Sequence, residues 1–246
     1  MNPLRIWWAD TRGKVVFTLI VLYIGSLINQ FEMIHLTQPF ITVGVVAFFD
    51  YAISLIRHKK GIITLSSVVT GLLIGLIFDE SAGLVPLLSA CFLAVIGKQY
   101  ISFGDHRHIF NPAALGIFAS SLLFHRPVAW WGASWGYVPA VIIFLGMTFA
   151  LWRIRRFWMA AIFLVIYGIA FPSTIDGTVF LFAFVMLPET VTSVSGGMWT
   201  YGWGILVGIL MLMLSFILKV TFDPLLSALL IADAIGGVKR FVWNNA

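Results

Sequence analysis

Apolar residues run through this chain in long blocks separated by short polar stretches. Windows of about 20 apolar residues predict helices near 15–34, 39–56, 62–78, 83–99, 110–124, 135–152, 157–171, 176–188, 199–218 and 223–238. The blocks are rich in Val, Ile, Leu and Phe, and none shows the strict alternation over about 10 residues that marks a barrel strand. The pattern predicts an all-α integral membrane protein with about ten transmembrane helices in one membrane domain, residues 1–246.

The punctuation of the blocks repeats. Asn111-Pro112 opens the fifth helix and Asp223-Pro224 opens the tenth, with the prolines 112 residues apart. The same shift lays the third helix, "ITLSSVVTGLLIGLIF", on "IDGTVFLFAFVMLPE", and the fourth on "GGMWTYGWGILVGIL". Residue identity is slight, so the match is one of hydropathy and punctuation. Five helices is an odd number, so two such units, near 15–125 and 135–238, would point in opposite directions. Inverted repeats of this kind carry their sites near the repeat interface, often at short segments interrupted by Gly or Pro. The eighth segment, barely a dozen apolar residues between Asp176 and Glu189, is one.

Composition agrees with the pattern. The chain is 61% hydrophobic and 10% charged, with a mean hydropathy of +1.01, against about 25% charged residues in soluble domains. The net charge of +5 mostly records topology. With the N-terminus in the cytoplasm, thirteen of the fifteen Lys and Arg fall in inside segments, Arg126 and Lys219 being the exceptions. That is the positive-inside pattern, and it places both termini on the cytoplasmic side of an inner membrane. Trp7, Trp8, Trp130, Trp131, Trp199 and Trp243 fall at predicted interfaces, as an aromatic belt requires. No small-residue cleavage site follows the first apolar run, which reads as a retained helix. The single cysteine, Cys91, makes no intrachain disulfide and holds no iron–sulfur cluster alone.

The chemistry concentrates in "GDHRHIFNPAALGIF". Asn111 suits a helix N-cap and Pro112 the first turn. The free first-turn amides of that helix would face back toward Arg107 and His108, a ready site for negative charge. Asp223-Pro224 repeats the arrangement across the membrane with an anionic cap. Ordinary capped helix starts would explain both. The segment "MLPETVTSVSGG" adds Glu189, Thr190, Thr192 and Ser193, predicted on the same cytoplasmic side as Asn111.

"RHIFNPAALGIF" resembles a motif of the family of membrane subunits found in the Na+-translocating NADH:quinone oxidoreductase and in the Rnf electron transport complex. "LSSVVTGLLIGL" resembles its third-helix motif, "MLPETVTSVSGGMWTYGWGILVGIL" its Asp-Pro-x-Thr-Ser-Pro segment and the following helix, and "FDPLLSALLIAD" its last helix. The resemblance covers roughly residues 40–240. It implies ten helices in two inverted halves, carrying flavin for transmembrane electron transfer. In that family one flavin is attached to a threonine in a Ser/Thr-Gly-Ala-Thr motif after the fifth helix. Here the region reads "FHRPVAWWGASWGY" and holds no threonine, so no covalent flavin is expected. A non-covalent flavin, FMN or riboflavin, is. Reduced flavin carries negative charge over N1 and the C2 carbonyl, which helix amides and Arg107 or His108 would stabilise. Asn111 would bond the pyrimidine edge, with Ser66, Ser67, Thr70, Thr190, Thr192 and Ser193 as neutral donors.

Asp50 lies deep in the second helix and Asp233 in the tenth. A carboxylate at the bilayer centre costs about 2.5–3.5 kcal/mol even on an insertion scale, so both are candidates for an ion pathway. The plainer readings give Asp50 a basic partner and Asp233 access to water. No metal site is expected, because no further convincing ligand lies near His106, His108 and Asp105, and nucleic acid is excluded. The runs "RHKK" and "RIRR" read as anchors at anionic lipid. Gly71, Gly75, Gly202, Gly204 and Gly208 read as close helix contacts.

Two main functions remain, beside a weaker third in which a degenerate structural subunit without flavin only anchors a soluble enzyme. One is a flavin-bearing oxidoreductase subunit relaying electrons from a soluble flavin or NAD(P)H reductase, or another redox subunit, to a quinone or an extracytoplasmic acceptor. No nucleotide-binding Gly motif is present, so a partner must deliver the electrons. The alternative is a solute channel or transporter with the inverted-repeat architecture of urea and ammonium channels.

Overall fold

The structure, a computed structural model, describes residues 10–59, 61, 64–102, 108–194, 196–219 and 221–244. Among them run α1 (Thr11–Asn29), α2 (Met33–His58), α3 (Leu65–Ile77), α4 (Leu84–Tyr100), α5 (Pro112–Phe124), α6 (Val138–Arg153), α7 (Phe157–Ala170), α8 (Gly177–Leu181), α9 (Trp199–Leu212) and α10 (Pro224–Asn244). One-turn π segments, Phe182–Met186 and Met213–Ile217, extend α8 and α9. Each predicted window holds one helix. The largest differences are in the first two helices and in α10, which runs six residues past its window to Asn244. α1 begins four residues early, where the Asp10 carboxylate caps the Arg12 N–H at 2.9 Å. α2 begins at Met33 and runs straight through Pro39, which the sequence suggested as a boundary. Pro39 has no N–H to give the carbonyl of His35, a local cost that the packing of α2 on α3 offsets.

That packing rests on small residues. A Cβ on Gly75 would sit 2.6 Å from the Pro39 Cα and 2.7 Å from the Thr42 Oγ1, and one on Gly71 would strike the Val43 backbone. With no side chain between them the two helices touch along their backbones. Thr42 uses the proximity, donating its hydroxyl to the Gly71 carbonyl at 2.7 Å. Gly204 and Gly208 of α9 pack on α7 in the same way, whereas Gly202 faces open space and makes no such contact.

Helix neighbours recur in the two halves. In the first, α4 packs on α5, α2 on α4 and α1 on α3; in the second, α9 packs on α10, α7 on α9 and α6 on α8. The halves meet where α1 packs on α6 and α5 on α10. Each of those contacts joins a helix to its own counterpart, the pairing that a twofold relation between the five-helix units would produce.

Among the described residues three helices, Thr11–Asn29, Met33–Arg57 and Trp199–Ile217, are by length and composition long and apolar enough to cross a membrane alone. α3 and α5 have 13 residues each, about 20 Å of rise against a hydrocarbon core of about 30 Å. Backbone at that depth must be satisfied within the protein. At the end of α3 the connection from α5 to α6 does this. The Ile77 carbonyl accepts from the Ala129 and Trp130 amides at 3.1 and 3.0 Å, and the Leu76 carbonyl from Gly132 at 2.9 Å. The same connection corrects the aromatic-belt reading of two tryptophans. Trp130 and Trp131 are 5% and 4% exposed. The Trp130 indole donates to Asp223 at 2.7 Å, and Trp131 stacks on His35 with ring centroids 4.2 Å apart. Trp199 does face outward. Trp7 and Trp8 lie outside the described residues.

Candidate functional site

Asn111 caps α5 as its sequence context predicts, its Oδ1 accepting the Ala114 N–H at 3.0 Å with Pro112 in the first turn. Its remaining polar groups reach two other helices. The backbone N–H donates to Asp233 of α10 at 2.8 Å. The side-chain Nδ2 lies 3.5 Å from the Met186 carbonyl, at the outer limit of a hydrogen bond. Met186 ends the π segment of α8. π turns concentrate at functional sites, and this one sets Phe184 and Val185 beside Asn111.

Beneath Asn111 lies a cavity of about 240 Å³. Ser66 and Thr70 of α3, Asn111, Pro112 and Ala113 of α5, and Glu189 and Thr190 beyond α8 line it, with Thr11 and Arg12 of α1 and the Asp10 cap on a further side. Leu73, Met147, Leu151 and Phe184 form its apolar walls. Three helices, α1, α3 and α5, thus open onto one space. One first-turn amide of each is capped, Arg12 by Asp10, Ser67 by Thr64 and Ala114 by Asn111; others, such as Ala113, have no carbonyl within the helix to bond, and the helix dipoles add positive potential there. The wall also carries two carboxylates, Asp10 and Glu189. The His108 Nε2 lies 3.2 Å from the Glu189 Oε1.

Six of the residues picked from sequence, Ser66, Thr70, Asn111, Pro112, Glu189 and Thr190, therefore share one cavity. Others do not line it. His108 acts through Glu189. Thr192 is buried, its hydroxyl 3.4 Å from the Glu189 Oε2. Ser193 is buried beside Arg156 and donates to the Glu189 carbonyl at 2.5 Å. Ser67 turns away to donate to Asp50. Arg107 lies outside the described residues. Asp223 caps α10 at the opposite end of the molecule, accepting from the Leu226 N–H at 2.8 Å.

The two membrane carboxylates sit in separate networks. Asp50 receives Lys98 Nζ at 2.8 Å and Gln99 Nε2 at 2.7 Å as well as the Ser67 hydroxyl, a basic partner from the last turn of α4. Asp233 is completely buried against Asn111, so it does not reach water. Among the described residues no group of three metal-ligating side chains comes together.

Arg156 was missed in the sequence, where it reads as one more basic anchor. It is only 6% exposed. Its guanidinium reaches the carbonyls of Pro188 and Glu189 at 3.0 and 2.7 Å, and the Ser193 hydroxyl. Burial pulls its pKa down to about 10, with the Glu189 carboxylate acting in the other direction, so it remains charged at neutral pH. It fixes the cavity wall that follows α8.

A family model described as NQR2, RnfD, RnfE matches residues 8–138, which span α1 to α5 and hold Ser66, Thr70, Asn111 and Pro112. No curated protein matches the chain. The match takes in more than half of the 246 residues, and with the apolar helices it makes this chain an integral membrane member of the NQR2, RnfD, RnfE family, a subunit type of electron-transport complexes.

Proposed function

We propose that the chain is a membrane electron-transfer subunit that binds a non-covalent flavin, FMN or riboflavin, in the cavity under Asn111. A flavin accepts electrons from a reductant and passes them to an acceptor, and its reduced ring carries negative charge. The observation that supports the reading is the convergence of three helix N-termini on a space with apolar walls, with Asn111 and Ser66 as donors and the Thr70 hydroxyl, which donates to the Ser66 carbonyl at 2.9 Å, as an acceptor. Such a donor set fits an electron-rich ring, because fixed dipoles stabilise charge without reorganising. At about 240 Å³ the space is smaller than typical whole-ligand pockets of about 300–1,000 Å³. It suits the ring system, with the polar tail at the open mouth beside Arg12. Asn111 orients the pyrimidine edge, the Ala113 amide faces it, and Arg156 holds the opposite wall in place. Electrons come from a soluble reductase or another redox subunit and leave to a quinone or an extracytoplasmic acceptor. Asp50, now paired with Lys98, and Asp233, now bonded to Asn111, are the candidate carboxylates of an ion pathway, and both termini lie in the cytoplasm.

The test is a visible spectrum of the chain purified in mild detergent. Flavin absorbance that leaves the protein on acid precipitation supports the proposal. A colourless protein that moves a small solute across liposomes overturns it in favour of a channel.

A further inference from the structure

We infer that the turn between α6 and α7 is a binding site for the headgroup of an anionic phospholipid. The turn divides the run Arg153-Ile154-Arg155-Arg156 between two faces. α6 ends in a Schellman-type cap: the Arg155 amide bonds the Trp152 carbonyl at 3.0 Å, and the Arg156 amide bonds the Leu151 carbonyl at 2.8 Å. Arg155 occupies the left-handed position usually given to glycine, with φ 58°. The result sends Arg156 inward to the carbonyls after α8, while Arg153 and Arg155 stay exposed on the outside.

Those two arginines line a cavity of about 350 Å³ with Trp152, Phe157, Trp158 and Tyr201. No carboxylate lines it. The rings of Trp152, Phe157 and Trp158 form a cluster with centroids 5.5 to 6.3 Å apart. α7 starts at the cavity, and its N-cap, Arg156, provides no side-chain cap, so the Phe157 and Trp158 amides add to the positive end.

The occupant is amphipathic because the apolar surface continues from the cavity along two helices. On α6, Leu145 and Phe149 lie seven and three residues before Trp152, on the same face, and are 71% and 69% exposed. On α7, Val165 lies seven residues after Trp158 and is 61% exposed. A phosphate at Arg153 and Arg155 thus has acyl chains lying along these stripes, with the tryptophans at headgroup depth. Basic pockets between transmembrane helices recognise anionic headgroups in this way. A free phosphate ester shares the charge but leaves the stripes uncovered. The inference does not depend on the flavin reading, and its test contains no flavin.

The full chain in neutral detergent is titrated with phosphatidylglycerol, phosphatidylcholine and soluble glycerol phosphate. Binding is read by native mass spectrometry and by the thermal midpoint. The expected result is that phosphatidylglycerol binds and raises the midpoint, whereas phosphatidylcholine and glycerol phosphate do not. Arg153→Gln with Arg155→Gln weakens phosphatidylglycerol binding roughly thirtyfold, at roughly fivefold per charge, without moving the lipid-free midpoint. If the double variant does not fold, Arg155→Gln alone is read for its roughly fivefold loss. Equal binding of the two lipids, displacement of phosphatidylglycerol by equimolar glycerol phosphate, or unchanged binding by the arginine variants each overturns the inference.

Discussion

The backbone N–H of Asn111 donates to the carboxylate of Asp233, 122 residues away, at 2.8 Å, with both residues buried. The N–H of a capping residue lies outside the hydrogen-bond ladder of its own helix. In a buried site it needs an acceptor from elsewhere, and α10 supplies one. Through the same residue the side chain closes the first turn of α5 and approaches the end of α8. One asparagine therefore ties the start of α5 to two helices of the second half, at the wall of the cavity.

Replacing Asn111 by Ala removes the cap but leaves the bond to Asp233, which uses backbone. The expected stability cost is about 1 kcal/mol, or about 2–4 °C in thermal midpoint for a chain of this size. On the flavin proposal, bound flavin is expected to fall to a small fraction of the wild-type amount, because the proposed pyrimidine-edge donor is gone. The flavin-to-protein ratio after gel filtration measures it. A folded variant that keeps its full colour would place the ring elsewhere.

Asp233→Ala acts on the other half of this bond. It leaves the Asn111 amide buried without its acceptor, a cost of about 1–3 kcal/mol. Asp233→Asn keeps an oxygen in place and is expected to cost less. Thermal unfolding of the two variants in one detergent ranks them. If Ala and Asn destabilise equally, the bond contributes little and the carboxylate matters only for its charge.

The Asp50–Lys98 pair predicts a larger asymmetry. Lys98→Met strands a buried carboxylate, and breaking one side of such a pair costs about 3–5 kcal/mol. Adding Asp50→Asn removes the stranded charge and is expected to recover most of the loss. Expression level and thermal midpoint of the single and double variants provide the check. Recovery with intact folding also allows ion movement to be measured without this carboxylate. A double variant no more stable than Lys98→Met would mean that Lys98 acts through contacts other than Asp50.

The sequence exposed what hydrophobic periodicity and capping chemistry encode. Ten apolar windows hold ten helices because each span must satisfy its own backbone in lipid. Asn111 and Asp223 were legible as caps because a short polar side chain before proline has few other uses. Ser66 and Thr70, four residues apart, share a face of α3 and arrive together at the cavity. The rest depends on tertiary partners. Ser67, one position from Ser66, points toward Asp50, and only the packing of α2 on α3 decides that. Arg156 follows Arg153 and Arg155 in an unbroken basic run, and the turn that sends it inward leaves no mark in composition. The π segment at Phe182–Met186 has no sequence signal, although it sets Phe184 and Val185 in the cavity wall. Trp130 and Trp131 look like interface residues because they fall between two apolar blocks in a connection that holds His125, Arg126 and glycines.

Gly75 and Gly202 give the sharpest contrast, because one glycine is needed for contact and the other is not. A methyl group at Gly75 meets the Cα of Pro39 at 2.6 Å, and backbone cannot rotate aside as a side chain can. α3 would have to move away from α2, breaking the Thr42 bond to the Gly71 carbonyl and the bonds from Gln38 Nε2 to the carbonyls of Gly75 and Phe78. Overpacking of this kind costs about 1–3 kcal/mol, and the displaced α3 carries Ser66 and Thr70 with it. Gly75→Ala is therefore expected to lower the thermal midpoint and loosen the cavity, from Leu73 close to the change to Ser66 more than 10 Å along the helix (nine residues at about 1.5 Å each). Gly202→Ala adds a methyl group where nothing lies within 4 Å. It removes a flexible residue from a helix, so it is expected to leave stability unchanged or raise it by up to about 1 kcal/mol. Thermal unfolding of both variants, with flavin content read on the same samples, separates the outcomes. Equal effects from the two substitutions would mean that α2 and α3 do not touch along Gly75.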